Sequence, residues 1–177
     1  MKKRTDLDFS KHKLTIIEHE GISIHRFLVP GTYYDSFIFI NTQGIMTVTG
    51  DYGNWVFCRE FHPSANGKVS DYYWCEKLEL DSEQKAFEWD DEAAKKEIEN
   101  ELNSLREGYC ENLEETLEYY ERLLNHTEWE TGYKYNAHFD KPDGIETEYI
   151  PFPQKINNQL LCVFDAFEEI CERLKNN

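Results

Sequence analysis

The sequence predicts an α+β domain, in which an antiparallel β-meander of about five to six strands is packed by about three helices in the C-terminal half. Short runs of β-forming residues follow one another in the first half, with connections too short for the crossovers that parallel pairing needs. In the second half, apolar residues recur at spacings of three and four, which is the helical period. The 177 residues suit a single domain. We expect a basic N-terminal arm over 1–13, mainly β structure over 14–80, and mainly helix over 81–177 with an irregular segment at 125–153.

Five segments carry the strand pattern, each rich in Ile, Val, Thr and aromatic residues and bounded by turn signals. These predicted strands are Leu14–His19, Ile22–Val29, Asp35–Asn41, Ile45–Gly50 and Asn54–Phe61. Glycine and proline between them supply the backbone angles of tight turns. Ser70–Leu80 is expected to add an edge strand or a short helical piece.

Three helices are predicted from the apolar spacing and from capping residues. The first begins at Asp90 or Asp91 and has acidic residues in its first turn, where the helix dipole favours negative charge. The second follows Asn112 as a natural N-cap and carries apolar residues at i, i+4, i+7 and i+11. The third covers about Ile156–Leu174.

Charge is the strongest compositional signal. The chain has 35 acidic and 19 basic residues, a formal net charge of −16. Residues 79–130 contain 18 acids and five bases, whereas the first thirteen residues contain five bases and two acids. Such a surface disfavours direct binding to duplex nucleic acid or to an anionic membrane, and it favours a partner protein with a basic surface.

The five cysteines include no CxxC pair, which argues against a disulfide framework or a zinc knuckle. The N-terminus lacks the apolar stretch of a secretory signal, and no apolar run approaches the roughly 18 residues that span a bilayer. We therefore expect an intracellular, cytoplasmic protein with reduced thiols.

The segment Gly50-Asp51-Tyr52-Gly53 raises the question of a phosphate-binding or metal-binding loop. A phosphate loop combines backbone N–H groups with the start of a helix and usually a lysine. Here a strand pattern follows and no lysine does, so the segment is interpreted as a hairpin turn. We expect its aspartate to bond to the turn's own backbone.

The sequence carries no strong signature of a catalytic or metal site. Acidic residues lie around the hairpin, but no pair has a diagnostic spacing and no Ser/His/Asp or Cys/His order stands out. We expect no cofactor and no metal. An alternative stays open, namely a small metal-dependent hydrolase or nuclease that uses Asp51, Asp71 or Glu76 with His62. A second alternative is a small-ligand binding module with a pocket between the sheet and the last helix.

The acidic helices supply the candidate partner-binding residues. The second predicted helix places its glutamates on the face opposite its leucines. One interpretation is a solvated helix face; the other is a surface that competes with phosphate backbones for a basic cleft. The candidate residues are Asp90, Asp91, Glu111, Glu114, Glu115, Glu118 and Glu121.

Residues 24–107 show an ordered set of short motifs: Arg-x-x-x-Pro-Gly-Thr, an aromatic strand, Thr-Gly-Asp-x-Gly followed by Val-Phe, and Tyr-Trp-x-Glu-Lys-Leu before an acidic helix. The residues that carry them are Arg26, Pro30, Gly31, Thr32, Phe37, Thr49, Gly50, Asp51, Gly53, Val56, Phe57, Tyr73, Trp74, Glu76, Lys77 and Leu78. This order resembles a family of small uncharacterised proteins of tailed bacteriophages and prophages. The resemblance implies a phage accessory protein in the bacterial host cytoplasm, and it implies no catalytic residue or cofactor.

Together these features predict a non-enzymatic acidic protein that binds a host protein. In its sharper form, the hypothesis is an anti-defence inhibitor, such as an anti-CRISPR protein, that occupies the basic nucleic-acid cleft of an immunity nuclease.

Overall fold

The computed structural model describes residues 3–32, 34–60, 70–79, 86–107, 113–125 and 154–175. The chain forms two compact units. Unit 1 contains Met1–Phe87 and Ile156–Asn177, and unit 2 contains Glu88–Lys155. The expectation that both belong to one domain stays a prediction.

Unit 1 is built on a five-stranded antiparallel meander in the order β1-β2-β3-β4-β5. Its strands are β1 Lys13–His19, β2 Ile22–Leu28, β3 Phe37–Thr42, β4 Ile45–Gly50 and β5 Trp55–Phe57. The α+β class is thereby confirmed. The predicted strand Asn54–Phe61 was too long, because β5 ends after three residues.

On its other side, β5 is paired with the chain that follows the first helix. Helix α1 (Asp71–Glu76) begins at the N-cap Ser70, whose side chain accepts from the backbone N–H of Tyr73. Directly after α1 the chain pairs with β5. The N–H of Cys58 donates to the carbonyl of Lys77 (2.6 Å), and the N–H of Glu79 donates to the carbonyl of Val56 (2.9 Å). Ser70–Leu80 was predicted as an edge strand or a short helix. Its described part forms a short helix, which is followed by an isolated β-bridge between Leu78 and Phe57.

The core of unit 1 lies on one face of the sheet. Successive strand residues point to opposite faces, and the buried aromatic residues of β2 and β3 occupy alternate positions. Helix α4 (Asn158–Lys175) supplies the opposing layer, and Phe167 makes edge contacts with Phe39 and Trp74 at ring-centroid distances of 6.1 and 5.0 Å. The largest fully buried side chains in this core are Phe27, Phe37, Phe39, Phe57, Met46, Leu160, Ile170, Val48 and Val163.

Unit 2 contains two helices, α2 (Asp91–Glu107) and α3 (Leu113–Asn125). Ile98 and Leu102 of α2 pack with Tyr119 of α3 in a separate small core. The strands β6 (Phe87–Trp89) and β7 (Gln154–Ile156) pair in a short two-stranded sheet. Neither strand was predicted from the sequence. The expected irregular segment 125–153 lies outside the described residues beyond Asn125.

The described helices include none that is both long and apolar enough to cross a membrane.

Candidate interaction surface

The segment Gly50-Asp51-Tyr52-Gly53 connects β4 to β5, and its aspartate holds a neighbouring loop. Asp51 Oδ2 accepts from the backbone N–H of Ser36 (2.8 Å) and from its hydroxyl (3.1 Å). The N–H of Asp51 returns a bond to the Ser36 carbonyl at 3.2 Å. The expectation that Asp51 bonds within its own turn was wrong, because its carboxylate accepts from Ser36 in the loop between β2 and β3.

Tyr52 completes this contact between two loops. Its ring stacks on Phe37 at 4.8 Å with an interplanar angle of 5°, and its hydroxyl donates to Asp35 Oδ1 at 2.6 Å. Burial, followed by the bond to Asp35, raises the pKa of Tyr52 above its usual value. Gly50 has a φ of +149°, and a Cβ there would lie 2.0 Å from the Ser36 carbonyl oxygen. The side chains and backbone of this segment are therefore used to hold the turn against the loop between β2 and β3.

The carboxylates of the hydrolase hypothesis are placed with separate partners. Asp51 bonds to Ser36, whereas Asp71 accepts from Arg4, and Glu76 is exposed at the end of α1. His62 lies outside the described residues. Within the residues that the structure describes, no group of three or more His, Cys, Asp or Glu side chains is arranged to hold a metal ion.

Three carboxylates do converge in unit 1, but on a guanidinium. Arg4 donates from Nε and Nη2 to both oxygens of Asp71 at 2.7 and 2.6 Å, and its Nη groups reach Asp165 at 3.1 Å and Glu168 at 2.8 Å. Asp165 is fully buried and also accepts from the backbone N–H and hydroxyl of Thr5, at 2.8 and 2.7 Å. We call this group, Arg4 with Asp71, Asp165 and Glu168, the N-terminal clasp.

A second contact fixes the same segment further along. Arg173 of α4 donates to the carbonyls of His12 and Phe9, each at 2.6 Å. Residues 3–12 are thus held against α4, and the Arg4 charge within the predicted basic arm is neutralised by nearby carboxylates.

The thiols of unit 1 are poorly suited to nucleophilic chemistry, which requires the thiolate. Burial raises the pKa of Cys75 and of Cys171 to about 11, and it raises the pKa of Cys162 as well. The exposed Cys58 donates to Glu79 at 2.8 Å, which also raises its pKa.

Some of the predicted partner-binding acids have structural roles. Asp90 caps α2 by accepting from the N–H of Ala93 at 3.0 Å, and Asp91 lies 3.6 Å from Lys95. Glu121 forms an exposed ion pair with Arg106 at 2.9 Å. Glu111 lies outside the described residues.

The remaining three, Glu114, Glu115 and Glu118, are exposed on α3 and hold no hydrogen bond or ion pair with any described residue. Successive residues of a helix turn by about 100°, so these glutamates and Glu121 lie within an arc of roughly 120°. Arg122 falls in the same arc. Thr116, on the opposite side of α3, and Tyr119, at the border of this arc, are both buried, and Tyr119 belongs to the core of unit 2. We call Glu114, Glu115 and Glu118 the free glutamates.

The acidic character of the chain is concentrated in unit 2. Unit 1 contains 12 basic and 16 acidic residues, a balance of −4, whereas unit 2 contains 7 basic and 19 acidic residues, a balance of −12. Three quarters of the net charge of −16 therefore belongs to unit 2.

Sequence reasoning missed one surface of unit 1. The face of the sheet opposite the core carries six isoleucines and a valine, which do not belong to the core cluster. The signal was present in β3, where Phe37–Ile40 is apolar at every position and not only at alternate ones. In a meander with its core on one face, such a run places apolar side chains on both faces. We call these residues the isoleucine face: Ile17, Ile22, Ile24, Ile38, Ile40, Ile45 and Val56.

Comparison of the chain with protein families, with curated proteins and with solved structures found no match. The resemblance to a phage protein family stays a prediction.

Proposed function

We propose that this chain is a non-enzymatic binding protein, whose free glutamates on α3 dock on a basic surface of a host protein. The observation that carries this proposal is the charge distribution: unit 2 holds a balance of −12, and its free glutamates are not consumed by ion pairs with described residues. A carboxylate that has no internal partner is available to an external cation.

Electrostatics gives such a surface its main effect on association. At 0.1 M salt the field of exposed charges reaches about 10 Å, and complementary charges raise the association rate. A basic nucleic-acid cleft fits this requirement, since it is built to bind closely spaced phosphates. The specific form of our proposal is a phage or prophage inhibitor that occupies the cleft of an immunity nuclease, such as a CRISPR nuclease, in the bacterial cytoplasm.

The test is capture of a partner from a bacterial lysate on the immobilised protein, followed by mass spectrometry at rising salt. We expect one stoichiometric partner whose retention falls as salt increases. The combined reversal Glu114→Lys, Glu115→Lys and Glu118→Lys should reduce retention by at least about tenfold, since each reversal replaces attraction by repulsion.

The matched control changes the net charge by the same amount elsewhere. Glu18, Glu20 and Glu76 are exposed residues of unit 1, and their joint replacement by lysine raises the net charge by the same six units. Retention by this control should stay close to that of the wild type. Equal loss in both triple variants would show that total charge, and not the α3 surface, controls binding. Salt-insensitive retention would contradict the electrostatic mechanism.

A further inference from the structure

The strand register builds one continuous row across the isoleucine face. Ile17 pairs with Ile24, Ile24 with Ile40, Ile40 with Thr47, and Thr47 with Val56. Paired residues lie on the same face of a sheet, so every strand contributes a β-branched side chain to this row. The exposed fractions of Ile17, Ile22 and Ile45 are 45%, 43% and 41%.

The same face excludes carboxylates. Around the isoleucine face the strands place threonines, together with Lys13, His19 and Arg26, and none of the residues that the five strands point to this side is acidic. In a chain with 35 acids, this surface can be covered without desolvating a negative charge. The long side chains of Lys13 and Arg26 can keep their charged ends in water.

The size of the face matches what a symmetric dimer requires. Five strands spaced by about 4.8 Å, with about six residues each rising by about 3.3 Å, cover roughly 500 Å². Two such faces in contact remove at least about 1,000 Å² from water, which is the lower limit for a specific interface. Sheets pack on sheets about 10 Å apart with interdigitated side chains, so a second copy offers a matching shape.

We propose that the isoleucine face is the interface of a homodimer, in which the sheets of two copies pack face to face. This inference does not depend on the proposed function, because it uses a different surface and a different force. Its association is apolar, so it should persist at 0.5 M salt, where exposed charges are screened within a few ångströms.

The experiment is sedimentation equilibrium of the purified full chain between 1 and 100 µM, at low and high salt. We expect a dimer at both salt concentrations. Ile24→Lys and Ile40→Lys, each at the centre of the row, should weaken the dimer by about a hundredfold or more, since they bury an unpaired charge. Tyr72→Lys is the matched control, because Tyr72 is 70% exposed on α1 and lies off this face. It should leave the dimer unchanged.

A milder variant guards against misfolding. Ile24→Thr with Ile40→Thr keeps β-branching and strand propensity, and it should weaken the dimer by roughly tenfold while circular dichroism stays native. A wild-type monomer at 100 µM would overturn the proposal. So would a dimer that neither face variant weakens, or one that Tyr72→Lys weakens equally.

Discussion

The N-terminal clasp of unit 1 and the free glutamates of unit 2 use the same carboxylate group in opposite ways. In the clasp, buried Asp165 accepts from a guanidinium, two backbone N–H groups and a hydroxyl. On α3, the free glutamates face solvent and have no partner among the described residues. A buried carboxylate is tolerated only when its hydrogen bonds are satisfied, whereas a solvated one contributes little to stability and can bind elsewhere. Acidic residues therefore fix the fold in one unit and, in our proposal, make the binding surface in the other.

The largest expected effect comes from removing the buried carboxylate. Asp165→Ala should lower the free energy of unfolding by about 3–5 kcal/mol, because the Arg4 charge and the Thr5 donors lose their buried acceptor. Glu118→Ala should leave the free energy unchanged within error. Urea denaturation measures both, and equal effects would erase the distinction between the two regions.

The next comparison uses two arginines, each of which lies at nearly the same distance from a glutamate. Arg4 lies 2.8 Å from Glu168, with side chains 18% and 23% exposed, whereas Arg106 lies 2.9 Å from Glu121, with both about half exposed. Arg4→Gln should destabilise the protein by about 2–3 kcal/mol, since Asp165 stays buried without its cation. Arg106→Gln should cause no measurable change, because exposed pairs are screened by water. If urea denaturation shows a comparable loss of unfolding free energy for Arg106→Gln, then solvent exposure does not determine how much these ion pairs contribute to stability.

The stability of the protein at alkaline pH tests the burial of the Cys75 thiol in unit 1. The folded-state pKa of Cys75 is about 11, against 9.0 for a free thiol, because burial, followed by the charge of Asp71, disfavours the thiolate. Since the folded pKa is raised, this stabilisation is fully present below pH 9 and is lost as the pH rises through 11. Unfolding free energy measured from pH 8 to 11 should fall by about 1–2 kcal/mol more in the wild type than in Cys75→Ala. If the unfolding free energies of the wild type and of Cys75→Ala change with pH in parallel, burial does not raise the pKa of Cys75.

The smallest effect concerns the core of unit 2. The hydroxyl of Tyr119 is buried and has no hydrogen-bond partner among the described residues. Tyr119→Phe removes this unsatisfied group and keeps the ring, so it should raise stability by up to about 1 kcal/mol. A thermal denaturation scan reads this directly. A clear loss of stability would show that the hydroxyl has a partner.

Local patterns predicted the architecture well. The strand Ile45–Gly50 and the helix beginning at Asp91 agree with the structure, because short turns and apolar spacing act over a few residues. The N-terminal clasp was beyond such reasoning, since Arg4 and Asp165 are 161 residues apart and no local pattern links them. The partner of Asp51 was missed for the same reason: Ser36 comes from a different loop.

The candidate surface was predicted only in part. Helical spacing placed the glutamates of α3 opposite its core, but it could not separate Glu121, which pairs with Arg106 of another helix, from Glu118, which pairs with no described residue. The isoleucine face was missed because strand periodicity was used to find one buried face, while the register that aligns five strands is set by long-range pairing.

The most direct test of the account compares partner retention by the two triple charge-reversal variants at one salt concentration. Reversal of Glu114, Glu115 and Glu118 should reduce retention by at least about tenfold, and reversal of Glu18, Glu20 and Glu76 should leave it near the wild-type level, with both variants folded. Equal retention by the two variants would contradict the central claim that the free glutamates form the binding surface.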